Sequence, residues 1–366
     1  MASAGPAPDP KFSAVSSEWP TAEELAAASR IRKANEQAIA RLKDPARDVV
    51  GDLRVVRFLR ARHHKEAEAT EWYGEFLRQR LDESPEIETK LRPAVIGLAP
   101  QEFNSWFQER VHPSLPCCPW AGLTPDGAGL FCLRPGKLDA VAFTEERQGV
   151  PLQQDFLLMV ACLEWILWYL DEESHKKRRM LYVVKVVDAG GLGAEGRKVP
   201  VFVPKMKEFM TRLLQSMQKP YCEHDAVFLV LNAPFVFRIV FNIISVLLTA
   251  KQKAKMRILG STSDPAVLAK LYELVPAEML PKELGGKREV LENVYPARGA
   301  DAIPAWIKRV QSLDFWAPRT PQPSGPAAEA AGTTEPSPAA AAAAEPPVEV
   351  PAVPPEAGQQ AAQRAA

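Results

Sequence analysis

Few side chains in this chain of 366 residues stand where reaction chemistry needs them. Cys222 and His224 come nearest, because a thiol beside an imidazole holds the parts of an activated nucleophile. Neighbours at i and i+2 on a loop entering a strand rarely align, however, and no third group is placed to orient the base. His63, His64, His112 and His175 are scattered, and neither G-x-S-x-G nor H-E-x-x-H occurs. Gly191-Leu192-Gly193-Ala194-Glu195-Gly196 follows a strand and fits the G-x-G-x-x-G that cradles a pyrophosphate. Yet Arg197 to Pro200 separates it from the next helix, and no acidic-ended second strand follows at the required place, Asp188 lying before the glycines. Cys117, Cys118, Cys132, Cys162 and Cys222 are odd in number with no C-x-x-C pair, which reads as reduced thiols in a cytosolic protein. The expectation is no enzyme, no cofactor and no metal.

Charge inside apolar segments is the more telling chemistry. Leu181 to Asp188 (LYVVKVVD) is the most β-prone stretch of the chain, and alternation puts Lys185 on one face with Val183 and Val187. A lysine in a strand covered on both faces is costly unless paired or wet. It either faces a cavity and meets an anionic group, or leans out at the strand's end or pairs with Glu164. Glu164 itself interrupts Phe156 to Leu170, the apolar middle of a helix expected over Pro151 to Glu173. It reaches an edge or a nearby base, or else it lines a cavity wall. Lys176-Lys177-Arg178-Arg179 follows that helix, as a solvated cap or as a contact for anionic headgroups.

The elements that must position these groups centre on Ala226 to Leu248, an apolar run whose only full charge is Arg238. Its length suits a bilayer, but Asn232, Pro234 and Arg238 argue against crossing one. In pieces, Ala226 to Leu231 is a strand buried on both faces, Asn232 to Pro234 a turn with Pro234 opening a helix, and Phe235 to Leu248 that helix. It is apolar on too many sides for a surface helix and must cover something greasy. Before it, Pro200 to Gln218 carries Val203, Met206, Phe209, Met210, Leu213, Leu214 and Met217 on one helical face. Earlier, Thr21 with Glu23 and Glu24 starts a helix expected to reach Leu42. Asp48 to Arg62 and Lys65 to Arg80 have further helical spacing, as does Gln101 to Arg110. Asp126 to Gly129 reads as a hairpin turn before a strand over Leu130 to Arg134.

Taken in order, Tyr221-Cys222-Glu223, the apolar strand, Asn232-Ala233-Pro234, the apolar helix, a basic turn of Lys251, Lys253, Lys255 and Arg257, the Ile258-Leu259-Gly260 strand, and Leu280-Pro281-Lys282-Glu283-Leu284-Gly285-Gly286 resemble the CRAL-TRIO lipid-binding domain. Arg134-Pro135-Gly136-Lys137-Leu138-Asp139 is similar to the segment after that family's first strand. Independently, Asp52-Leu53 with Arg57-Phe58-Leu59-Arg60-Ala61-Arg62 resembles the small helical domain preceding it. The resemblance implies an α/β fold: a mixed, mainly parallel sheet with helices forming a lipid cavity, a mobile gate helix, and a small all-α bundle in front. It makes Phe235, Phe237, Phe241 and Ile244 part of the gate, and places Phe209 and Leu213 beside the pocket. In phosphatidylinositol-binding members a Glu and a Lys at the positions of Glu223 and Lys255 contribute to inositol-phosphate recognition; Gln252 lies near another headgroup position. In phosphatidylcholine-binding members the positions of Val183 and Lys185 carry small hydroxyl residues, which this chain replaces.

Composition agrees with a binding module. Lys plus Arg and Asp plus Glu number 45 each. Without the tail from Ala317 the balance is 43 basic to 40 acidic residues, which gives no electrostatic reason to expect nucleic acid. No export signal is recognisable at the N-terminus. The expected organisation is a disordered 1–20, a helical domain over 21–84, the lipid-binding domain over 85–316, with a short helix at Trp306 to Trp316, and a disordered Pro/Ala-rich tail over 317–366. The expected partners are a phospholipid or other hydrophobic ligand, transiently a membrane surface, and proteins that contact the tail. The reading is a monomeric, cytoplasmic, peripherally membrane-associated protein that binds and transfers phosphatidylinositol or a related phospholipid; a lipid-regulated signalling scaffold is the alternative.

Overall fold

Helix α1 (Ala22–Ala34) begins where the sequence says it should. The Thr21 hydroxyl accepts from the Glu24 amide at 3.1 Å while the Glu24 carboxylate accepts from the Thr21 amide at 3.0 Å, a reciprocal cap. The helix stops short of Leu42. Asn35 turns its side-chain amide onto the carbonyls of Ile31 (3.0 Å) and Thr70 (3.4 Å), and a separate turn over Glu36–Ala40 follows. The structure, a computed structural model, describes residues 17–194, 196–289 and 301–317, so the two ends expected to be disordered fall outside it apart from Ser17 to Pro20 and Ala317, as does the part beyond Glu289 of the extension that the sequence suggests over Lys287 to Val294.

α2 (Asp52–Ala61) and α3 (Glu66–Arg78) complete a bundle around buried Phe58, Tyr73, Phe76 and Leu77. Phe58 meets Tyr73 edge to face at 5.5 Å. The arginines of α2 do something different: Arg54, Arg57 and Arg60 are all buried. Arg57 donates to the carbonyls of Leu181 (2.8 Å) and Glu223 (2.7 Å), Arg54 to that of Pro220 (3.0 Å), and Arg60 pairs with Glu24 at 2.7 Å. The string of basic residues therefore ties the bundle to the loops around the sheet.

α4 (Pro100–Arg110) starts as expected, and α5 (Leu152–Lys177) runs one turn beyond Glu173. Lys176 and Lys177 thus belong to its last turn, and Arg178, in the left-handed region at φ 51°, ends it. Glu164 lies mid-helix and fully buried. It accepts from Arg92 at 2.7 Å, from Tyr221 at 2.6 Å and from Arg80, while Asp48 holds Arg92 at 2.8 Å. Burial opposes the Glu164 charge, but the two guanidiniums outweigh it and hold the carboxyl well below its usual range. Of the readings open to Glu164, pairing with nearby bases is the one observed.

The sheet runs in the order β1 (Cys117–Cys118), β2 (Gly129–Leu133), β3 (Val183–Asp188), β4 (Asp225–Leu231), β5 (Met256–Gly260). β1 is antiparallel to β2 and the other pairings are parallel. A short helix over Ala140–Glu145 and α5 lie between β2 and β3, α6 (Pro204–Gln218) between β3 and β4, and α7 (Phe237–Ser245) and α8 (Ala250–Ala254) between β4 and β5, with α9 (Pro265–Tyr272) and α10 (Ala302–Ser312) after the last strand. α6 starts at Pro204, not Pro200, because the residue before a proline is pushed to extended backbone, and Val203 has φ −95°, ψ 111°. Similarly, Pro234 opens a tight turn, its carbonyl accepting from Phe237 at 2.9 Å, and the regular helix begins only at Phe237.

The two faces of the sheet differ. Leu130, Cys132, Val184, Val186, Val227, Leu229 and Leu231 are buried against Leu271, Val275, Leu280 and Leu284. On the other face Phe131 and Val183 pack under α5 and α6, with Ala161, Cys162, Met206 and Phe209. Towards β4 and β5 that cover thins.

Candidate functional site

Tyr221 to Asp225 form the loop that enters β4, and its shape is set from outside. Glu223 has a left-handed φ of 51°, its carbonyl is held by Arg57, and Lys255 donates to the Asp225 carbonyl at 2.7 Å. The Glu223 carboxylate then receives two ammonium groups, Lys251 at 2.9 Å and Lys255 at 3.2 Å. Two cations on one carboxylate leave surplus positive charge beside a pocket of about 200 Å³. Arg62, His63, Trp72, Gln218, Thr249 and Gln252 complete its wall. A second pocket, of about 580 Å³, shares His63, Glu223 and Lys251 and opens along α1 and the end of α2. So the structure brings Glu223 and Lys255 together, with both side chains almost fully covered. Gln252 borders the smaller pocket but spends its side-chain oxygen on the Thr249 amide at 2.9 Å, capping α8.

Lys185 lies in a cross-strand row with Phe131, Phe228 and Met256. Its ammonium meets Asp225 at 2.8 Å and His224 at 3.2 Å, and lies 5.6 Å from the Phe131 ring centre and 5.1 Å from that of Phe228. It pairs with Asp225, not with Glu164, whose partners are all on the bundle side and in Tyr221. Burial pushes His224 from 6.5 down to about 3, so it is neutral at pH 7. Burial works against the charge of Asp225, but His224 and Lys185 beside it bring that carboxyl below its usual range.

Apolar side chains of β4, β5, α6 and α7 are only partly covered. Phe228, Met256, Leu213, Leu214, Met217, Phe237, Phe241 and Ile244 are half-buried, and Ile258 on the edge strand is 56% exposed. Phe209 is the exception, buried against Phe143 with ring centres 5.3 Å apart. In α7 only Val240 is fully buried, and the helix packs with Leu192, Val199, Val201 and Met210. Phe237 and Phe241 stack at 6.1 Å, while Phe235 is 81% and Val246 78% exposed. A helix this apolar with its ends turned outward suits an apolar partner on either side.

Sequence reasoning missed Lys251, Arg57 and the Asp225–His224 pair. Lys251 had only its place in a basic turn, and Asp225, a carboxylate opening an apolar strand, was a signal that could have been used. Among the described residues no group of three His, Cys, Asp or Glu side chains is placed to hold a metal ion, and no helix is long and apolar enough to cross a membrane.

Residues 115–286 match the family model of the CRAL/TRIO domain. Among 32 matching chains of solved structures is the crystal structure of Sfh5, at 15% identity over 81% of this chain and 100% of that one, with a TM-score of 0.49. No curated protein matches the chain.

Proposed function

Residues 115–286 form a CRAL/TRIO domain, a module for binding lipids and other hydrophobic ligands, and from that premise we propose that the chain carries phosphatidylinositol or a related anionic phospholipid between membranes. The acyl chains lie between the β4–β5 side of the sheet and α7, and the phosphate is met by Lys251 and Lys255 while Glu223 accepts from headgroup hydroxyls. Hiding about 30 methylenes from water is worth on the order of 20 kcal/mol, which calls for a closed apolar chamber. The observation that carries the reading is the incomplete burial of apolar side chains in this part of the molecule, Phe228 and Met256 on the strands and Leu213, Phe237, Phe241 and Ile244 on α6 and α7, next to the exposed Phe235. Such a helix reaches a membrane surface with an apolar face and can leave its seat there. The protein then works in the cytoplasm and touches membranes peripherally and transiently.

The test is mass spectrometry of lipids extracted from the purified protein, with transfer of labelled phosphatidylinositol between vesicles. One phospholipid per chain and transfer above the spontaneous rate are expected. A chain that emerges lipid-free and accelerates transfer of no amphiphile sinks the proposal.

A further inference from the structure

The Gly191 to Gly196 stretch opens no helix, since only a single turn over Pro200–Phe202 stands between it and α6. It is therefore no dinucleotide cradle, but cations converge on it. The stretch leaves the C-terminal end of β3, and the turn after β2, Pro135–Lys137, lies against its backbone. A Cβ on Gly136 would fall 2.1 Å from the Gly190 carbonyl oxygen, so only glycine permits that approach. The contact sets where Lys137 stands. A Cβ on Gly191, which has φ 85°, would lie 3.5 Å from the Lys137 ammonium and 3.7 Å from Nη2 of Arg197.

The acidic groups of this end of the sheet are committed elsewhere. Asp188 accepts from Arg134 at 2.9 Å, Asn232 at 2.9 Å and the Gly190 amide at 3.0 Å, and Asp139 caps the short helix after it through the amides of Val141 and Ala142. Lys137 is half-buried and has no ion-pair partner among the described residues. From Ala189 to Val203 the sequence sets Glu195 alone against Arg197 and Lys198. Among the described residues the amides of Gly191 and Gly193 donate to no acceptor. Two cations over a glycine turn with unused amides are the parts of an anion site.

We propose that this turn binds a phosphate group, carried by a free phosphate ester or by a lipid headgroup, and that its occupation braces α7. The same loop supplies Leu192, Val199 and Val201, which are buried with Val240 of α7. A phosphate that draws Lys137 and Arg197 onto Gly191 stiffens the ledge on which that helix rests. The site is distinct from Glu223 and Lys255: those residues precede β4 and β5, whereas Gly191 follows β3, and parallel strands put the two at opposite ends of the sheet. It rests on no assumption about the lipid carried.

The test is calorimetric titration of the full chain with sodium pyrophosphate, together with amide hydrogen exchange, on wild type, Lys137→Met, Arg197→Met and, as a surface-charge control, Lys207→Met. Melting temperatures establish that each variant is folded. Wild type should bind saturably, with slower exchange over residues 190–203 and 237–245. Loss of either cation should weaken binding by about tenfold or more, as expected for one charge-assisted hydrogen bond, and Lys207→Met should bind as wild type does. Flotation with phosphatidylcholine vesicles, with and without a phosphatidylinositol phosphate, separates the sources. Lys137-dependent flotation that pyrophosphate competes away assigns the headgroup; its absence beside saturable pyrophosphate binding assigns the free ester. Wild type that gives no saturable heat overturns the site without recourse to any variant, as does binding that chloride at equal ionic strength reproduces or that both folded variants retain. Occupied protein whose residues 237–245 exchange as before overturns the bracing.

Discussion

The ammonium of Lys251 donates to the carbonyl oxygen of Arg60 at 2.8 Å, although the two residues lie 191 positions apart in the chain. Arg60 closes the last turn of α2, and Lys251 opens the short helix directly after the apolar α7. The same ammonium holds Glu223. The segment after α7 is thereby pinned to the bundle and to the small pocket beside Glu223 through one side chain.

Lys251→Met should release that pin. Hydrogen bonds to a charged group contribute about 1.5–3 kcal/mol, discounted here because the side chain is 26% exposed. The expected outcome is faster amide hydrogen exchange over residues 237–254 with the sheet unchanged. Exchange that is equal in variant and wild type would mean that this segment is held elsewhere.

Glu164→Gln should strain the interface between bundle and sheet. It removes the buried charge that Arg80 and Arg92 share, and breaking a buried pair from one side costs about 3–5 kcal/mol. Urea unfolding should show a lower midpoint with little change in slope. A loss below about 1 kcal/mol would show that Asp48 and Glu88 suffice for both guanidiniums.

Phe235→Asp should separate stability from membrane contact. The side chain is 81% exposed, so the melting temperature should barely move, and binding to anionic vesicles should weaken several-fold. Adding Phe237→Asp and Phe241→Asp should deepen the loss of transfer. Unchanged flotation with vesicles by the single variant would put the contact surface elsewhere.

Acid should destabilise the fold below the ordinary histidine range. Burial lowers His224 from 6.5 to about 3 and His112 from 6.5 to about 4. Between those values and 6.5 the unfolded chain binds protons that the folded chain refuses, so this stability is complete above pH 6.5 and declines as pH falls towards 4. Each histidine adds a slope of at most about 1.4 kcal/mol per pH unit. Asp155, which burial raises from 3.8 to about 6, acts oppositely, because the folded state takes up its proton first and gains as pH falls through 6. Urea midpoints measured from about pH 7 to about pH 5 should fall, and His224→Gln should flatten the decline.

Much of the fold was legible because it is written in local terms. Thr21 with Glu24 fixes one helix start, the all-apolar Ala226 to Leu231 a covered strand, and Leu280 to Gly286 the closing segment under the packed face. Errors came where a side chain or a proline redirected the backbone: Asn35 ended a helix that hydrophobic spacing would have continued, and Pro204 and Pro234 delayed two others. In the site, Glu223 and Lys255 were readable through the resemblance and do meet. The partner of Lys185 was not, because strand alternation gives the face a residue points to and says nothing of which carboxylate reaches the same spot; a register irregularity between Val183 and Val184 sets Asp225 there.

The buried arginines of α2 carry a practical lesson for anyone wishing to dissect the molecule. Excising the leading helices to isolate the matched 115–286 stretch would strip the donors from three backbone oxygens, at Leu181, Pro220 and Glu223, and uncover Met180, Tyr182 and Ala226 beside Leu53. Each stranded oxygen that stays dry costs about 1–3 kcal/mol, a large part of the margin by which a protein stays folded. The shortened fragment should therefore aggregate or melt early, and supplying residues 17–114 as a separate polypeptide should rescue it.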